Sequence, residues 1–500
     1  MTEATTPDLR DTLKMFRAKG ELAEVSGEVH WDRELGTITR EMLSRKGPAL
    51  LFNNIADYNT DDSRCTQLAT SLLASRRRLS LCLGFDDEVS SGKLVKHVIN
   101  KMAERVAPIM VDAAPVHENV LLESQIDLEM FPVPRWHHLD GGRYINTFAA
   151  VVTKDPDTGV VNVGVYRGMI GGKDSIPVLL VASQHWGRHW AKYQARGQRM
   201  PVACVYGWNP VMDILAGSPL PEGVSEYEVM GALIGAPVPL VKCRTVDLEV
   251  PASAEIVVEG YIDPDKSTYQ LEGPFGEFTG YVSDVPTLRP TIKVTAITHR
   301  NQPIFRGTLE GSLPGASGEN SHISAVFRAA IARTTLETAG VPGILDVYVH
   351  PVTNGTNIVV QIQKSSQGHP KWVAAALWST GAALFRYKNV IVVDEDIDPS
   401  DYSAIDWAIA YRVRAGTDDV VMYPGTFGSP IDPSTPLEER SLPDLGTGLW
   451  NRVLIDATKT WRYPARKEWG GAKFPPTVAP SPEDRENVLR RWDEYGLGDY

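Results

Sequence analysis

The chain has 500 residues, a formal net charge of −12, 43% hydrophobic residues and 22% charged residues. That length fits two to four domains, each with its own core. The acidic balance argues against a nucleic-acid partner, which needs clustered Lys and Arg, and the basic run Arg76-Arg77-Arg78 reads as a solvated face or a local anion contact.

Residues 7–25 carry helical spacing at Leu9, Leu13 and Phe16, with a stop at Gly20. Residues 34–45 read as a second helix and Leu50-Leu51-Phe52 as a short buried strand, so residues 1–118 are expected to form an N-terminal α/β unit. From 119 to 315 the texture is β-rich. Runs at 147–153, 160–165, 178–182, 202–206, 255–261 and 291–298 read as strands of a barrel or sandwich, with a helix over 226–235. Residues 316–445 return to α/β alternation: helices over 324–339 and 372–383, strands over 347–350, 358–362 and 390–393. The Gly- and Pro-rich stretch from 415 to about 447 reads as a long loop. The remainder, 446–500, ends in an amphipathic helix carrying Leu489 and Trp492, of the kind that docks on a partner subunit.

The four cysteines, Cys65, Cys82, Cys204 and Cys243, are widely spaced and include no C-x-x-C pair. Neither a thiolate zinc site nor a disulfide framework is expected, which fits a reducing compartment. The N-terminus is polar, and no run approaches the roughly 18 apolar residues of a membrane span. A cytoplasmic protein is expected.

Common single-motif enzymes are excluded by pattern. The chain has no G-x-G-x-x-G between a strand and a helix, no P-loop and no G-x-S-x-G elbow. His185 and His189 share a helix face at i, i+4, but no Glu follows His185, so the H-E-x-x-H zinc pattern is missing. The adjacent His137 and His138 alternate faces if extended, so at most one enters any site. The segment Glu272-Gly273-Pro274-Phe275-Gly276-Glu277 is the strongest chemical signal. Gly and Pro fold two carboxylates toward each other, and two carboxyls in different environments can divide the roles of proton donor and charged partner. By itself the segment reads equally as a solvated turn. Arg167 follows the apolar run Val163-Gly164-Val165, and a buried arginine needs an anion, either a structural carboxylate or a ligand. Asn162, His185 and Glu226 offer an amide oxygen, an imidazole and a carboxylate, a set suited to a hard divalent cation, although spacing alone does not single them out.

Several segments in the same order resemble the UbiD family of decarboxylases that use prenylated FMN, and its ferulic acid decarboxylase branch in particular. They include Glu34 to Arg40, Leu51 to Ile55, Phe131-Pro132-Val133-Pro134 with His137, Asp140 to Tyr144, Gln184-His185, Pro219 to Glu226, Val250-Pro251-Ala252, and Glu272 to Glu277 with Gly280-Tyr281. The resemblance implies an α/β fold in which a central split β-barrel binds the flavin between N-terminal and C-terminal α/β regions. It implies Arg167, Glu272 and Glu277 as the catalytic set. It implies Asn162, His185 and Glu226 as ligands of a Mn²⁺ ion that ties down the flavin phosphate, with K⁺ alongside. The flavin is then expected against Asn162, Val165, Tyr166, Arg167, Gln184, His185, Gly217, Ser218, Pro219 and Glu226. In that scheme Arg167 pairs with Glu272 and orients the substrate carboxylate. Glu277 protonates carbon after CO₂ leaves, from an apolar pocket that raises its pKa. A flavin prenyltransferase supplies the cofactor, and family members form dimers or hexamers, with a homodimer expected here.

The sequence also departs from that branch. A Lys-Ala-Gly-Tyr stretch near the cofactor corresponds to Ala382-Ala383-Leu384-Phe385, so the lysine contact is missing; Ser218 stands in place of a Met; and one residue is lost before Glu226. Near Ser321-His322, Ala325 replaces a bulkier aliphatic residue, which is read as making room for a fused-ring acid such as a naphthoate or phenazine carboxylate. The function read from the sequence is therefore reversible, non-oxidative decarboxylation of an aromatic or α,β-unsaturated acid. The alternatives are a cinnamate- or ferulate-type acrylic acid decarboxylase, a non-catalytic flavin- or metal-binding subunit, and a flavin oxidoreductase.

Overall fold

Asp8 starts the first helix, Leu9–Ala18, by accepting from the backbone N–H of Asp11, and Leu9, Leu13 and Phe16 turn inward from it as their spacing predicts. A computed structural model describes residues 6–498 of the chain apart from 219, 221–222, 284, 384, 417 and 442–446. The second helix is Glu34–Ser44. Strands Leu22–Val25, Ala49–Phe52 and Gln67–Thr70 form a sheet with Ile304–Arg306, so the chain returns to its first sheet after building the second. This return tethers the N-terminal region to the central one, because Ile304–Arg306 pairs in parallel with Gln67–Thr70.

The central sheet is antiparallel. Its order is Ser175–Pro177, Thr291–His299, Ile256–Ile262, Met200–Tyr206, Ala150–Lys154, Val161–Val165, with Asn119–Leu122 also pairing with Thr291–His299. Alternation along Met200–Tyr206 sends Ala203 and Val205 into one core and Val202, Cys204 and Tyr206 into another, so the sheet is covered on both faces. No strand forms over 178–182. Val178 makes a single bridge to Gly168, and the chain then turns into the helix His185–Ala195. Helices Pro210–Ala216 and Glu226–Ile234 pack on one another and against Val161–Val165.

The C-terminal sheet runs Ile344–Tyr348, Asn357–Ile362, Asn389–Asp394, Thr447–Asp456, Val420–Gly428, with the inner pairs parallel. Within the stretch read as a long loop, residues 420–428 form this last strand. Val420–Gly428 tolerates Pro424 and Gly425 because it lies at the end of the sheet and breaks register between Tyr423 and Thr426. The helix expected over 372–383 is His369–Trp378, started earlier by Pro370 and followed by a short turn at Gly381–Ala383. The helix expected from 324 begins at Glu319, one residue after Gly318. The terminal helix is Pro482–Arg490, and no residue of it is buried. Among the described residues, no helix is long and apolar enough to cross a membrane.

Candidate active site

Glu272 ends the strand Gln270–Glu272, and Glu277 follows the strand Phe275–Gly276. Between them Gly273 takes φ 96°, and the Gly273–Pro274 peptide is cis. The turn is clamped from the segment 137–141. Gly141 N–H donates to the Pro274 carbonyl over 2.8 Å, and Gly276 N–H donates to Asp140 Oδ1 over 2.9 Å. Asp140 also accepts from the His137 backbone N–H at 2.9 Å and holds the His137 ring, whose Nε2 lies 3.1 Å from the Glu310 carbonyl. Approach is close enough to require glycine. A Cβ on Gly141 would lie 2.0 Å from the Gly273 carbonyl oxygen, and one on Gly276 would lie 2.5 Å from the His137 ring.

Arg167, just beyond the strand Val161–Val165, joins the two carboxylates. Its Nη2 donates to Glu272 Oε2 over 2.9 Å, and its Nη1 donates to Glu277 Oε1 and, over 3.1 Å, to Ser283 Oγ. Exposure is 9% for Arg167, 1% for Glu272 and 5% for Glu277, so all three charges sit in a low dielectric where pairing matters. Glu272 is further held by the Tyr144 hydroxyl at 2.8 Å, and Arg289 Nε lies 3.9 Å away. Burial and the Glu272 charge push the Tyr144 phenol well above its ordinary value, so it remains a donor. Glu277 thus stands in an ion pair, where an apolar pocket was expected. Its contacts include Arg167 and Ser283, with the Arg167 guanidinium 5.4 Å from the Phe275 ring.

A cavity of about 380 Å³ is lined by Asn162, Val165, Tyr166, Arg167, Gln184, His185, Gly217, Ser218, Glu226 and Glu277. Glu272 lies behind Arg167 and does not line it; Pro219 falls outside the described residues. His185 Nδ1 is 3.2 Å from Asn162 Oδ1, and Glu226 Oε2 accepts from Val163 N–H at 3.2 Å. Glu226 is 4% exposed and forms no ion pair among the described residues, and burial pushes its carboxyl up to about 7. A buried carboxylate lining the same cavity as an amide oxygen and an imidazole, with no cation paired to it among the described residues, is a donor set that fits a hard divalent ion. Among the described residues no group of three or more His, Cys, Asp and Glu side chains gathers in this way, so the candidate set depends on the Asn162 amide. His189 is not part of it; its Nδ1 faces Thr153 Oγ1 at 3.0 Å.

The helix Glu319–Thr338 shows Asn320, Arg328 and Ile331 to the cavity, a face that does not include Ala325. Ala325, the residue read as widening the pocket, is packed in the core at 7% exposure. Sequence reasoning missed Glu310, Phe278, Arg328, Phe385 and Arg386, which line the cavity from regions distant in sequence. No motif marks them. Glu310 is buried beside Glu277, and its carboxyl is pushed up to about 7 by burial and then by the Glu277 charge.

The 3-octaprenyl-4-hydroxybenzoate carboxy-lyase family, UbiD, matches this chain over three domains: the N-terminal domain at residues 13–102, the Rift-related domain at 109–313 and the C-terminal domain at 321–457. A pyrrole-2-carboxylic acid decarboxylase from Pseudomonas aeruginosa is 31% identical over 98% of this chain and 99% of its own length. The UbiD-class enzyme HmfF from Pelotomaculum thermopropionicum, solved with FMN, superposes with a TM-score of 0.82 at 30% identity, covering 96% of this chain and 98% of that one. The closed form of vanillic acid decarboxylase from Sedimentibacter hydroxybenzoicus gives a TM-score of 0.84 at 30% identity, covering 99% of this chain and 100% of that one.

Proposed function

Because the chain belongs to the UbiD family of carboxy-lyases, we propose that it catalyses the reversible, non-oxidative decarboxylation of an aromatic, heteroaromatic or α,β-unsaturated acid with prenylated FMN bound in the cavity. Loss of CO₂ from an sp² carbon leaves an electron pair that no side chain can hold, and the flavin, when bound, supplies the electron sink. FMN accompanies HmfF, and prenylated FMN accompanies an evolved dimeric form of that enzyme, which supports the cofactor assignment.

One observation carries the reading: Arg167 bridges Glu272 and Glu277 at a cavity that Asn162, His185 and Glu226 also line. Arg167, fixed from behind by Glu272, orients the substrate carboxylate. The C–C bond breaks, CO₂ departs, and a proton from the Glu277 carboxyl replaces it on carbon. Glu277 must be protonated at that step, and Glu310, whose buried carboxyl is pushed up to about 7, is the neighbouring group able to hold that proton. In the carboxylation direction Glu277 acts as the base. Asn162, His185 and Glu226 would hold Mn²⁺ with the flavin phosphate, K⁺ nearby, and Val165, Tyr166, Gln184, Gly217, Ser218 and Pro219 would line the flavin.

A flavin prenyltransferase is the expected cofactor supplier, and the cytoplasm the expected setting. Apolar side chains left exposed on the strands Val420–Gly428 and Thr447–Asp456, namely Met422, Tyr423, Phe427 and Leu449, favour a homodimer. Protein co-expressed with a flavin prenyltransferase should show a flavin spectrum and release CO₂ from ring carboxylates. A panel of pyrrole-2-carboxylate, benzoates, cinnamate and fused-ring acids assigns the substrate. Turnover of cinnamate alone would leave the acrylic acid reading, and CO₂ release from none of them would overturn the assignment.

A further inference from the structure

The same cavity carries two more guanidinium groups, Arg328 from the helix Glu319–Thr338 and Arg386 from the segment following Gly381–Ala383. Both side chains run over Gly355, where a Cβ would lie 2.4 Å from Arg328 Cδ and 3.2 Å from Arg386 Cδ. Gly355 has φ 82°, a backbone that already favours glycine, and its missing side chain leaves room for the aliphatic stems of both arginines. Arg328 is 7% exposed. Neither arginine forms an ion pair with a described residue, and the buried Nε of each has no hydrogen-bond partner. What they do contact is neutral: Arg328 Nη2 reaches Ser324 Oγ at 3.4 Å, Arg386 Nη1 donates to the Phe385 carbonyl at 2.6 Å, and the Arg386 guanidinium lies 5.2 Å from the Phe278 ring.

Two cations in one cavity that pair with no carboxylate among the described residues are costly to bury, and burial pushes Arg386 down to about 10. The carboxylates of the cavity are engaged elsewhere. Glu277 holds Arg167, Glu310 receives the Asn320 amide at 3.4 Å, and Glu226 lies with Asn162 and His185. An anion delivered by a ligand is the missing partner, and the planar fork of arginine suits a carboxylate. Glu277, Phe278, Arg328 and Arg386 all line this one cavity, and Phe278 offers a ring surface beside Arg386.

We propose that Arg328 and Arg386 form a second anion subsite, and that the preferred substrate is a planar ring acid carrying a second carboxylate, one carboxylate leaving at Arg167 and Glu277 while the other stays on the arginine pair. This rests on the decarboxylase reading and names the substrate class within it. The same guanidinium chemistry would take a phosphate of the cofactor, so the test separates the two sources.

Purified holoenzyme is assayed by CO₂ release with ring-matched pairs, benzoate against isophthalate and terephthalate, and pyridine monocarboxylates against pyridine dicarboxylates. Equilibrium binding of the same acids is measured by calorimetry, which needs no turnover. The diacid should bind more tightly than its ring-matched monoacid by about tenfold or more. Arg386→Gln and Arg328→Gln should collapse that ratio through KM while the flavin spectrum persists, and Arg386→Lys, which keeps a charge, should recover part of it. Equal affinity for monoacids and diacids in the parent protein, or loss of flavin with the ratio intact in the variants, overturns the subsite. Diacid-selective binding without any CO₂ release would leave the subsite standing and remove the decarboxylase reading instead.

Discussion

Arg167 donates to Glu272 Oε2 over 2.9 Å at a depth where both side chains are at least nine-tenths buried. The other edge of the same guanidinium serves Glu277, so a single cation ties together two carboxylates with different surroundings. Glu272 is enclosed by Tyr144 and Arg289, whereas Glu277 lines the cavity. That difference in access underlies the assignment of Glu272 as the fixed partner and Glu277 as the group facing substrate.

Replacing Arg167 with Lys keeps the charge but gives up the two-sided fork. We expect kcat/KM to fall by about a hundredfold or more with the flavin retained, because one ammonium cannot serve both carboxylates in the same geometry. Steady-state kinetics at equal flavin occupancy checks this; unchanged kinetics would count against the bridging role.

Tyr144→Phe removes the donor to Glu272 Oε1 and to the Pro274 carbonyl, the latter at 3.1 Å. The expected cost is about 1–3 kcal/mol of stability, since a buried carboxylate oxygen loses its partner. Chemical denaturation measures it. A variant as stable as the parent would mean that water replaces the phenol.

Gly141→Ala drives a methyl group into the Gly273 carbonyl, where its Cβ would stand at 2.0 Å. The backbone must shift, at a cost of about 1–3 kcal/mol. Because this backbone carries Glu272 and Glu277, activity should fall further than stability alone explains. Comparing melting temperature with kcat on the same preparation separates the two effects.

Much of this framework was legible in the sequence because it is local. Helical spacing at Leu9, Leu13 and Phe16, alternation along Met200–Tyr206, and the Gly-Pro turn between two glutamates each announce themselves within a few residues. The resemblance located Arg167 and the Asn162, His185 and Glu226 set, which spacing left unresolved. What stayed hidden depends on tertiary placement. Arg328 and Arg386 become neighbours only because both pass Gly355, and Glu310 reads as an ordinary acid until burial and Glu277 raise its carboxyl. Pro424 and Gly425 suggested a loop, but an end strand accommodates them at a register break. Ala325 suggested a wider pocket, but the helix turns Asn320, Arg328 and Ile331 to the cavity instead.

Glu310 also sets a pH dependence. Its folded carboxyl is raised from the ordinary Glu value of 4.5 to about 7, so the protonated form is favoured in the folded state. The associated stability is fully present below about pH 4.5 and is lost as pH rises through 7, on the order of 3 kcal/mol. Asp213, also raised to about 7 mainly by burial, adds to the same slope. Glu310→Gln should therefore flatten, without abolishing, the fall in melting temperature between pH 5 and pH 8. An unchanged slope would remove Glu310 from that balance.

The most direct test compares CO₂ release by the holoenzyme and its Glu277→Gln variant at equal flavin content, on whichever ring carboxylate the parent turns over. The amide keeps the shape and cannot deliver a proton to carbon, so the account predicts a bound flavin and a loss of about a hundredfold or more in turnover. Turnover by Glu277→Gln at the parent rate would contradict it.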